Sequence, residues 1–129
     1  MPKLTIVTDD GERTADVPAD RRLVLAIEEQ GVNIGHRCGG QARCTTCRVE
    51  FLDGEPDTMT KGEHAVLATR GLAGQARLSC QILTDHDMRV RALMTAENQT
   101  WPDTGPAPEP TITPDPERLP KADLEAGGA

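Results

Sequence analysis

The 129-residue sequence predicts an α+β domain over residues 1–95, followed by a disordered tail over residues 96–129. Two observations predict the domain: several short segments alternate apolar and polar residues as strands do, and one longer segment has the apolar spacing of a helix. The third observation is compositional. Seven of the ten prolines lie in the tail, together with Gly, Ala and acidic residues, a mixture typical of unpacked chain.

The strands begin at the N-terminus with a hairpin. Residues 3–8 alternate in polarity, Asp9-Asp10-Gly11 predicts a tight turn, and Glu12–Val17 predicts the returning strand. Three further strands are predicted at Arg48–Leu52, Arg77–Leu83 and Met88–Leu93.

Two helices are predicted between these strands. Asp20 is expected to cap a helix over about 21–30, and Gly31 is a fitting residue for its end. The apolar face of this helix comprises Leu23, Val24, Ala26 and Ile27. Thr60 and Glu63 match a capping box, which predicts a second, short helix to about residue 69.

The four cysteines, which are the only ones in the chain, carry most of the functional information. They follow the spacing C-x5-C-x2-C-x32-C, at Cys38, Cys44, Cys47 and Cys80. Three lie on one Gly-rich loop and the fourth lies on a distant predicted strand, an arrangement typical of a 2Fe–2S cluster held by four thiolates. Gly39 and Gly40 allow the loop to bend sharply and to bring backbone N–H groups towards an anionic cluster.

Other uses of the cysteines are less favoured. The chain leads from Met1 straight into a strand-like pattern rather than a signal peptide, so we expect a cytoplasmic protein with reduced thiols rather than disulfides. Structural zinc prefers two C-x2-C knuckles, whereas only Cys44 and Cys47 form one here. A Rieske centre needs two histidines on one iron, and His36 beside the loop has no matching second histidine. A zinc module remains an alternative.

Charge and composition exclude several classes of partner. The formal charge of −7 divides into −2 for residues 1–93 and −5 for residues 94–129. No basic stripe with aromatic residues predicts nucleic-acid binding, and no apolar run approaches the ~18 residues of a membrane span. We expect a monomer whose tail is a solubilising extension, with Trp101 as its one large apolar group able to dock on the body.

Three segments together carry a family resemblance. They are Leu23–Ile34, the cysteine loop with Cys38-Gly39-Gly40 and Cys44-Thr45-Thr46-Cys47, and Arg77-Leu78-Ser79-Cys80-Gln81. With these motifs the chain resembles, over about residues 3–93, the 2Fe–2S ferredoxins of the plant and adrenodoxin-like superfamily. The resemblance implies a β-grasp fold, a mixed sheet with a helix packed across it and the cluster near one edge. It also implies that Cys38 and Cys44 hold one iron and that Cys47 and Cys80 hold the other.

The resemblance implies a one-electron carrier that is not itself an enzyme. Its partners would be a reductase and an oxygenase, a cytochrome-type enzyme or an iron–sulfur assembly system. The x5 spacing favours the adrenodoxin-like or bacterial-reductase branches. Residues 60–70 contain one acid and two bases, so an acidic docking helix of the adrenodoxin kind is not expected. The alternative function is a regulatory module whose cluster senses redox state and gates a partner through the tail.

Overall fold

The computed structural model describes residues 2–9, 11–36, 46–72, 74–102, 105, 108, 112 and 118–120. Its strands are β1 (Lys3–Thr8), β2 (Gly11–Asp16), β3 (Arg48–Asp53), β4 (Thr58–Met59), β5 (Arg77–Leu78), β6 (Met88–Ala92) and β7 (Leu119–Pro120). Its α-helices are α1 (Leu23–Glu29), α2 (Lys61–Thr69) and α3 (Ala96–Gln99), and Ser79–Gln81 form a 3₁₀ helix.

The main sheet is mixed and has the strand order β2-β1-β6-β3-β5. Strands β1 and β6 run parallel, and the other neighbouring pairs are antiparallel. Helix α1 buries Leu23, Val24, Ala26 and Ile27 in the same cluster as Leu4 and Ile6 of β1 and Val90 of β6. A mixed sheet covered by a helix confirms the β-grasp fold.

The N-terminal hairpin is confirmed to within one residue. Its register runs from Lys3 opposite Asp16 to Thr8 opposite Gly11. The side chains of Leu4 and Ile6 point into the core, whereas β2 at the sheet edge is almost entirely exposed. This pattern follows from the period of two in a strand with one buried face.

Helix α1 begins later than predicted, and Asp20 does not cap it. Asp20 adopts a positive φ of 61°, and Arg22 directly precedes the helix without a side-chain cap. The reason is a tertiary contact: Arg21 N donates to Thr84 Oγ1 at 3.3 Å and Thr84 N donates to Arg21 O at 2.8 Å. Docking to residue 84 thus sets the path into the helix, while Gly31 with φ 85° ends it as predicted.

Helix α2 has half of the predicted capping box. Glu63 N donates to Thr60 Oγ1 at 3.1 Å, as expected for a helix N-terminus. The Glu63 carboxylate does not return to the start of the helix. It accepts instead from the Arg77 guanidinium, Nε to Oε2 at 2.7 Å and Nη2 to Oε1 at 3.0 Å, and from Leu78 N at 2.8 Å.

The predicted strand over Arg77–Leu83 is much shorter in the structure. Strand β5 ends at Leu78, the 3₁₀ helix follows, and Leu83 makes an isolated bridge with Arg22. Local side-chain alternation predicted a continuous strand, but contacts from distant residues turn the backbone here. The core assembled around these elements includes Val49, Leu67 and Leu78, with Phe51 half-buried against it. Among the described residues, no helix combines the length and apolar character needed to cross a membrane.

Some positions of the predicted tail are described, and helix α3 and strand β7 lie among them. Helix α3 begins with Ala96 N donating to Asn33 O at 2.9 Å, and β7 pairs with β4. Ile112 is buried. At α3 and β7 the structure therefore differs from the predicted disorder, because the backbone there is hydrogen-bonded to the body. Most of residues 103–129 lie outside the described residues, so disorder over them and the boundary at residue 95 stay predictions.

We expect the buried ion pair between Arg77 and Glu63 to dominate the stability of this end of the sheet. Arg77 and Glu63 are 4% and 0% exposed, so replacing Arg77 with Met leaves a buried carboxylate without its partner. This should lower the free energy of unfolding by about 3–5 kcal/mol. The matched control is Arg89→Met, which breaks an exposed pair with Glu12 and should cost at most about 1 kcal/mol. Urea denaturation measures both, and equal losses would contradict the assignment.

The contribution of His86 to the stability of the fold should depend on pH. Burial by itself would lower the pKa of His86, but its hydrogen bonds to the Gly54 carbonyl and the Asp85 carboxylate raise the pKa above its usual value. A histidine whose pKa is raised in the folded state contributes its full stabilisation below its unfolded-state pKa of about 6.5. It loses that contribution as the pH rises through the higher folded-state pKa. The stability difference between the wild type and His86→Gln should therefore shrink from pH 5.5 to 8.5 in urea denaturation. Asp85→Asn should weaken the trend, and a constant difference would contradict it.

Candidate iron–sulfur site

Two of the four predicted cluster ligands lie among the described residues. Cys47 directly precedes β3, and Cys80 is the middle residue of the 3₁₀ helix after β5. Both side chains are thiols and are almost completely buried, with 1% and 0% exposure. Cys38 and Cys44 lie outside the described residues, as do the flanking Arg37, Gly39, Gly40 and Arg43.

The sheet brings the backbone at Cys47 next to the backbone just before Cys80, although the two cysteines are 33 positions apart. Arg48 and Leu78 are partners in the antiparallel β3–β5 pair, so the residues just beyond them are neighbours at one end of that pair. Ser79 completes the connection, because its N and its Oγ donate to Cys47 O at 3.2 and 2.7 Å. The chain at Cys47 therefore contacts the residue that directly precedes Cys80, while the shared ligation of a cluster stays a prediction.

An arginine from the start of α1 holds the backbone of the fourth cysteine. Arg22 is 0% exposed and donates to the Cys80 carbonyl from both Nε and Nη2, at 2.9 and 2.6 Å. Next to this contact, Leu23 N donates to Ile82 O at 2.8 Å. The N-terminal end of α1 is thus joined to the chain at Cys80 and just beyond it.

A glutamine and a threonine lie on the sulfur side of the same cysteine. Gln81 Nε2 is 3.5 Å from Cys80 Sγ, within hydrogen-bonding distance for a sulfur acceptor. Thr60 Oγ1 donates to Gln81 Oε1 at 2.6 Å, which fixes the amide with its N–H₂ group towards the sulfur. All of these side chains are buried. Hydrogen bonds of this kind to cysteine sulfur are one of the factors that set the potential of an iron–sulfur cluster.

His36, at the start of the loop, contacts Glu28 of α1. His36 is only 3% exposed, and its Nε2 lies against Glu28 Oε1 from α1. Glu29, by contrast, pairs on the surface with Arg21, whose Nη2 donates to Glu29 Oε2 at 2.6 Å. The two neighbouring glutamates therefore differ: one joins α1 to the start of the loop and the other forms a surface pair.

Trp101 docks on the body, and it does so beside both ends of the loop segment 37–45. A Cβ atom at Gly35 would lie 2.6 Å from Trp101 Cζ3 and 2.8 Å from Thr46 O, closer than any side chain tolerates. Glycine is therefore required at position 35 by the close approach of the indole and of the backbone at residue 46. The sequence indicated that Trp101 was able to dock, but it did not indicate where.

The described residues fit an anionic iron–sulfur cluster. Both described cysteine side chains are buried, an N–H donor lies within hydrogen-bonding distance of the Cys80 sulfur, and a guanidinium lies against the Cys80 carbonyl. Burying thiolates and sulfides is favourable only with such donors and positive charge nearby. Within the described part of the chain no three His, Cys, Asp or Glu side chains form a metal site, and the two remaining predicted thiolates lie outside it.

Sequence reasoning missed the roles of Arg22, Gln81 and the pair of Glu63 with Arg77. No local signal indicated Arg22, because its contact with Cys80 spans 58 positions. Glu63 was recognised only as part of a capping box. Gln81 and Arg77 belonged to the quoted motif around Cys80, but spacing alone does not reveal which groups they contact.

Comparison with known proteins agrees with this site. The family model for the 2Fe-2S iron-sulfur cluster binding domain matches residues 7–84. One component of the Na(+)-translocating NADH-quinone reductase of Chlamydia felis, its F subunit, is 34% identical over 88 residues, 68% of this chain and 20% of that protein. The corresponding component in Methylococcus capsulatus is 32% identical over 81 residues, 63% of this chain and 20% of that protein. The chain thus spans about a fifth of the length of these curated relatives.

Solved ferredoxin structures resemble the body of this chain. The ISC-like 2Fe-2S ferredoxin FdxB of Pseudomonas putida has a TM-score of 0.60 and 25% identity, covering 70% of this chain and 91% of that one. A ferredoxin of Rhodopseudomonas palustris has a TM-score of 0.59 and 27% identity, covering 73% and 99%. From the family match over residues 7–84 and these structures we conclude that the chain belongs to the ferredoxin-type family of 2Fe-2S iron-sulfur cluster binding domains, with one 2Fe–2S cluster as its cofactor.

Proposed function

We propose that this protein is a one-electron carrier whose 2Fe–2S cluster is held by Cys38, Cys44, Cys47 and Cys80. The observation that carries the proposal is the burial of Cys47 and Cys80 at one end of the β3–β5 pair, where Ser79, next to Cys80, contacts the Cys47 carbonyl. Cys80 lies 33 positions after Cys47, so local structure alone would not bring it near the C-x2-C loop. The contact supports the spacing argument for four thiolates on one cluster.

The bound cluster supplies the redox chemistry, since it accepts and returns a single electron. The residues of this chain bind it and set its surroundings. The buried segment around Cys80 excludes water, and Gln81 offers an N–H group to the sulfur. We propose that the carrier has no catalytic activity of its own.

For partners we propose a reductase as donor and an oxygenase, a cytochrome-type enzyme or an iron–sulfur assembly system as acceptor. Support comes from the neighbours: putidaredoxin, 30% identical with a TM-score of 0.58, has been solved in a covalent complex with putidaredoxin reductase. FdxB is described as an ISC-like ferredoxin. We further propose that the carrier is monomeric and cytoplasmic.

A second candidate is a carrier that works inside a larger reductase assembly. It is favoured by the identity of 34% to a component of a Na(+)-translocating NADH-quinone reductase. A freely diffusing carrier should elute alone from a size-exclusion column after native purification. An assembly component should elute together with other proteins of the complex.

The first test is spectroscopic. Anaerobically purified protein should be red-brown, contain two irons per chain, bleach on reduction with dithionite and gain a spin-half EPR signal at low temperature. These results follow from one cluster that takes up one electron. A colourless protein with one zinc per chain would replace the carrier with a structural zinc module.

The ligand assignment is tested at its most distant member. Cys80→Ser should abolish or severely destabilise the cluster, reducing the bound iron by at least about tenfold, because a four-thiolate cluster loses one of its ligands. The matched control is Ser79→Ala, which removes the neighbouring hydroxyl from Cys47 O but leaves all four thiols in place. Iron analysis and the visible spectrum report both variants. A normal spectrum in Cys80→Ser would show that Cys80 is not a ligand.

A further inference from the structure

A buried arginine lies directly against the predicted fourth ligand. Arg22 has no exposed surface, and two of its N–H donors, at 2.9 and 2.6 Å, converge on one neutral acceptor, the Cys80 carbonyl oxygen. The guanidinium keeps its positive charge under all relevant conditions, since arginine does not lose its proton in proteins. The chain therefore places a permanent positive charge in the interior beside Cys80.

Packing alone gives no reason for an arginine here. Position 22 is followed by the apolar residues Leu23 and Val24, which are both fully buried. An apolar side chain of similar size would avoid the desolvation of a charge. Position 22 also directly precedes α1, where small polar residues are favoured, yet Arg22 makes no side-chain cap. Two of its hydrogen bonds instead join it to the Cys80 carbonyl.

The buried positive charge of Arg22 should shift the reduction potential of the cluster in one direction. Adding an electron makes a cluster with four thiolates more negative, and a nearby positive charge stabilises that reduced form. The effect is strong in the interior because the effective dielectric constant is far below that of water. Exposed arginines of this chain, such as Arg21 paired with Glu29, act through solvent and are screened.

We propose that Arg22 is a positioning residue that fixes the backbone of Cys80 and, by its buried charge, raises the reduction potential of the cluster. This inference rests on the proposed ligation by the four cysteines. Arg22 acts from the start of α1 on the Cys80 carbonyl oxygen, whereas Gln81 Nε2 lies 3.5 Å from both that oxygen and the sulfur. The potential is thus set partly by a residue far from Cys80 in sequence.

The test compares Arg22→Gln and Arg22→Lys with the control Arg21→Gln, which removes the same charge one position away at the surface. Each loaded protein is equilibrated with a redox dye, and the visible spectrum gives the ratio of oxidised to reduced cluster. Arg22→Gln should raise that ratio about tenfold relative to the wild type, equivalent to about 59 mV for one electron. Arg22→Lys keeps the charge and should shift the ratio less than half as far on a logarithmic scale. Arg21→Gln should stay within about twofold, because its charge is solvent-screened.

The direction in which the ratio of oxidised to reduced cluster shifts distinguishes an effect of the charge from a loosening of the pocket. Water entering a disrupted pocket would stabilise the more highly charged reduced cluster and lower the ratio, opposite to the expected change. A lowered ratio in Arg22→Gln, a ratio equal to that of the control, or equal shifts in the Gln and Lys variants would overturn the role of the charge.

Loss of the cluster in the variants is also decisive. If Arg22→Gln purifies without iron, circular dichroism of the chain shows whether it is folded. A folded chain without cluster supports the positioning of Cys80, whereas an unfolded chain shows a purely structural arginine and overturns the proposal. A wild type that holds no 2Fe–2S cluster would overturn the ligation and the inference together, whereas a loaded wild type with an unshifted Arg22→Gln overturns the inference alone.

Discussion

Burial of the segment from Arg77 to Gln81 is the constraint on which the rest of the structure depends. All five residues are buried, and three of them have polar side chains that need partners. Each finds one at a different place: Arg77 at Glu63 of α2, Ser79 at Cys47 O, and Gln81 at Thr60. An unmet polar group at any of these positions would cost about 1–3 kcal/mol. The segment therefore has essentially one way to pack.

These partners also explain how the two longer helices are placed. Helix α1 is joined to the segment by Arg22, which contacts Cys80 O, and by Leu23 N, which donates to Ile82 O. Helix α2 is joined to it by Thr60 and Glu63 at its first turn. The hydrogen bonds that hold Cys80 and its neighbours thus also position the helices that contact them. A change at the site is consequently expected to affect stability, and a change in either helix N-terminus to affect the site.

The sequence allowed reliable prediction wherever the pattern was local. The hairpin follows from alternation and a turn signal, and the core face of α1 follows from helical spacing. The Thr60 cap was predicted because capping depends on residues three positions apart. The family was indicated by the resemblance of three motifs, whereas the complete four-cysteine set stays a prediction, since Cys38 and Cys44 lie outside the described residues.

The failures occur where distant residues decide the local structure. Asp20 has the right chemistry for a cap, but the contact of Arg21 with Thr84, across 63 positions, sets a different start for α1. The chain after Leu78 has the composition of a strand, but the bonds to Cys80 O and Cys47 O turn it into a 3₁₀ helix. The described positions of α3 and β7 are ordered through pairing with the body, which a composition rich in Pro and acids does not reveal.

The arrangement of charge finally bears on how this carrier meets its partners. Several surface acids of the body are paired with arginines, at Arg21–Glu29, Arg89–Glu12 and Arg91–Glu50. Together with the formal charge of −2 over residues 1–93, this leaves a modest field to steer a basic partner. Helix α2 has no acidic face either, since its one acid, Glu63, is buried against Arg77. Recognition by this carrier should therefore depend more on the shape of the surface around the cluster loop than on long-range attraction.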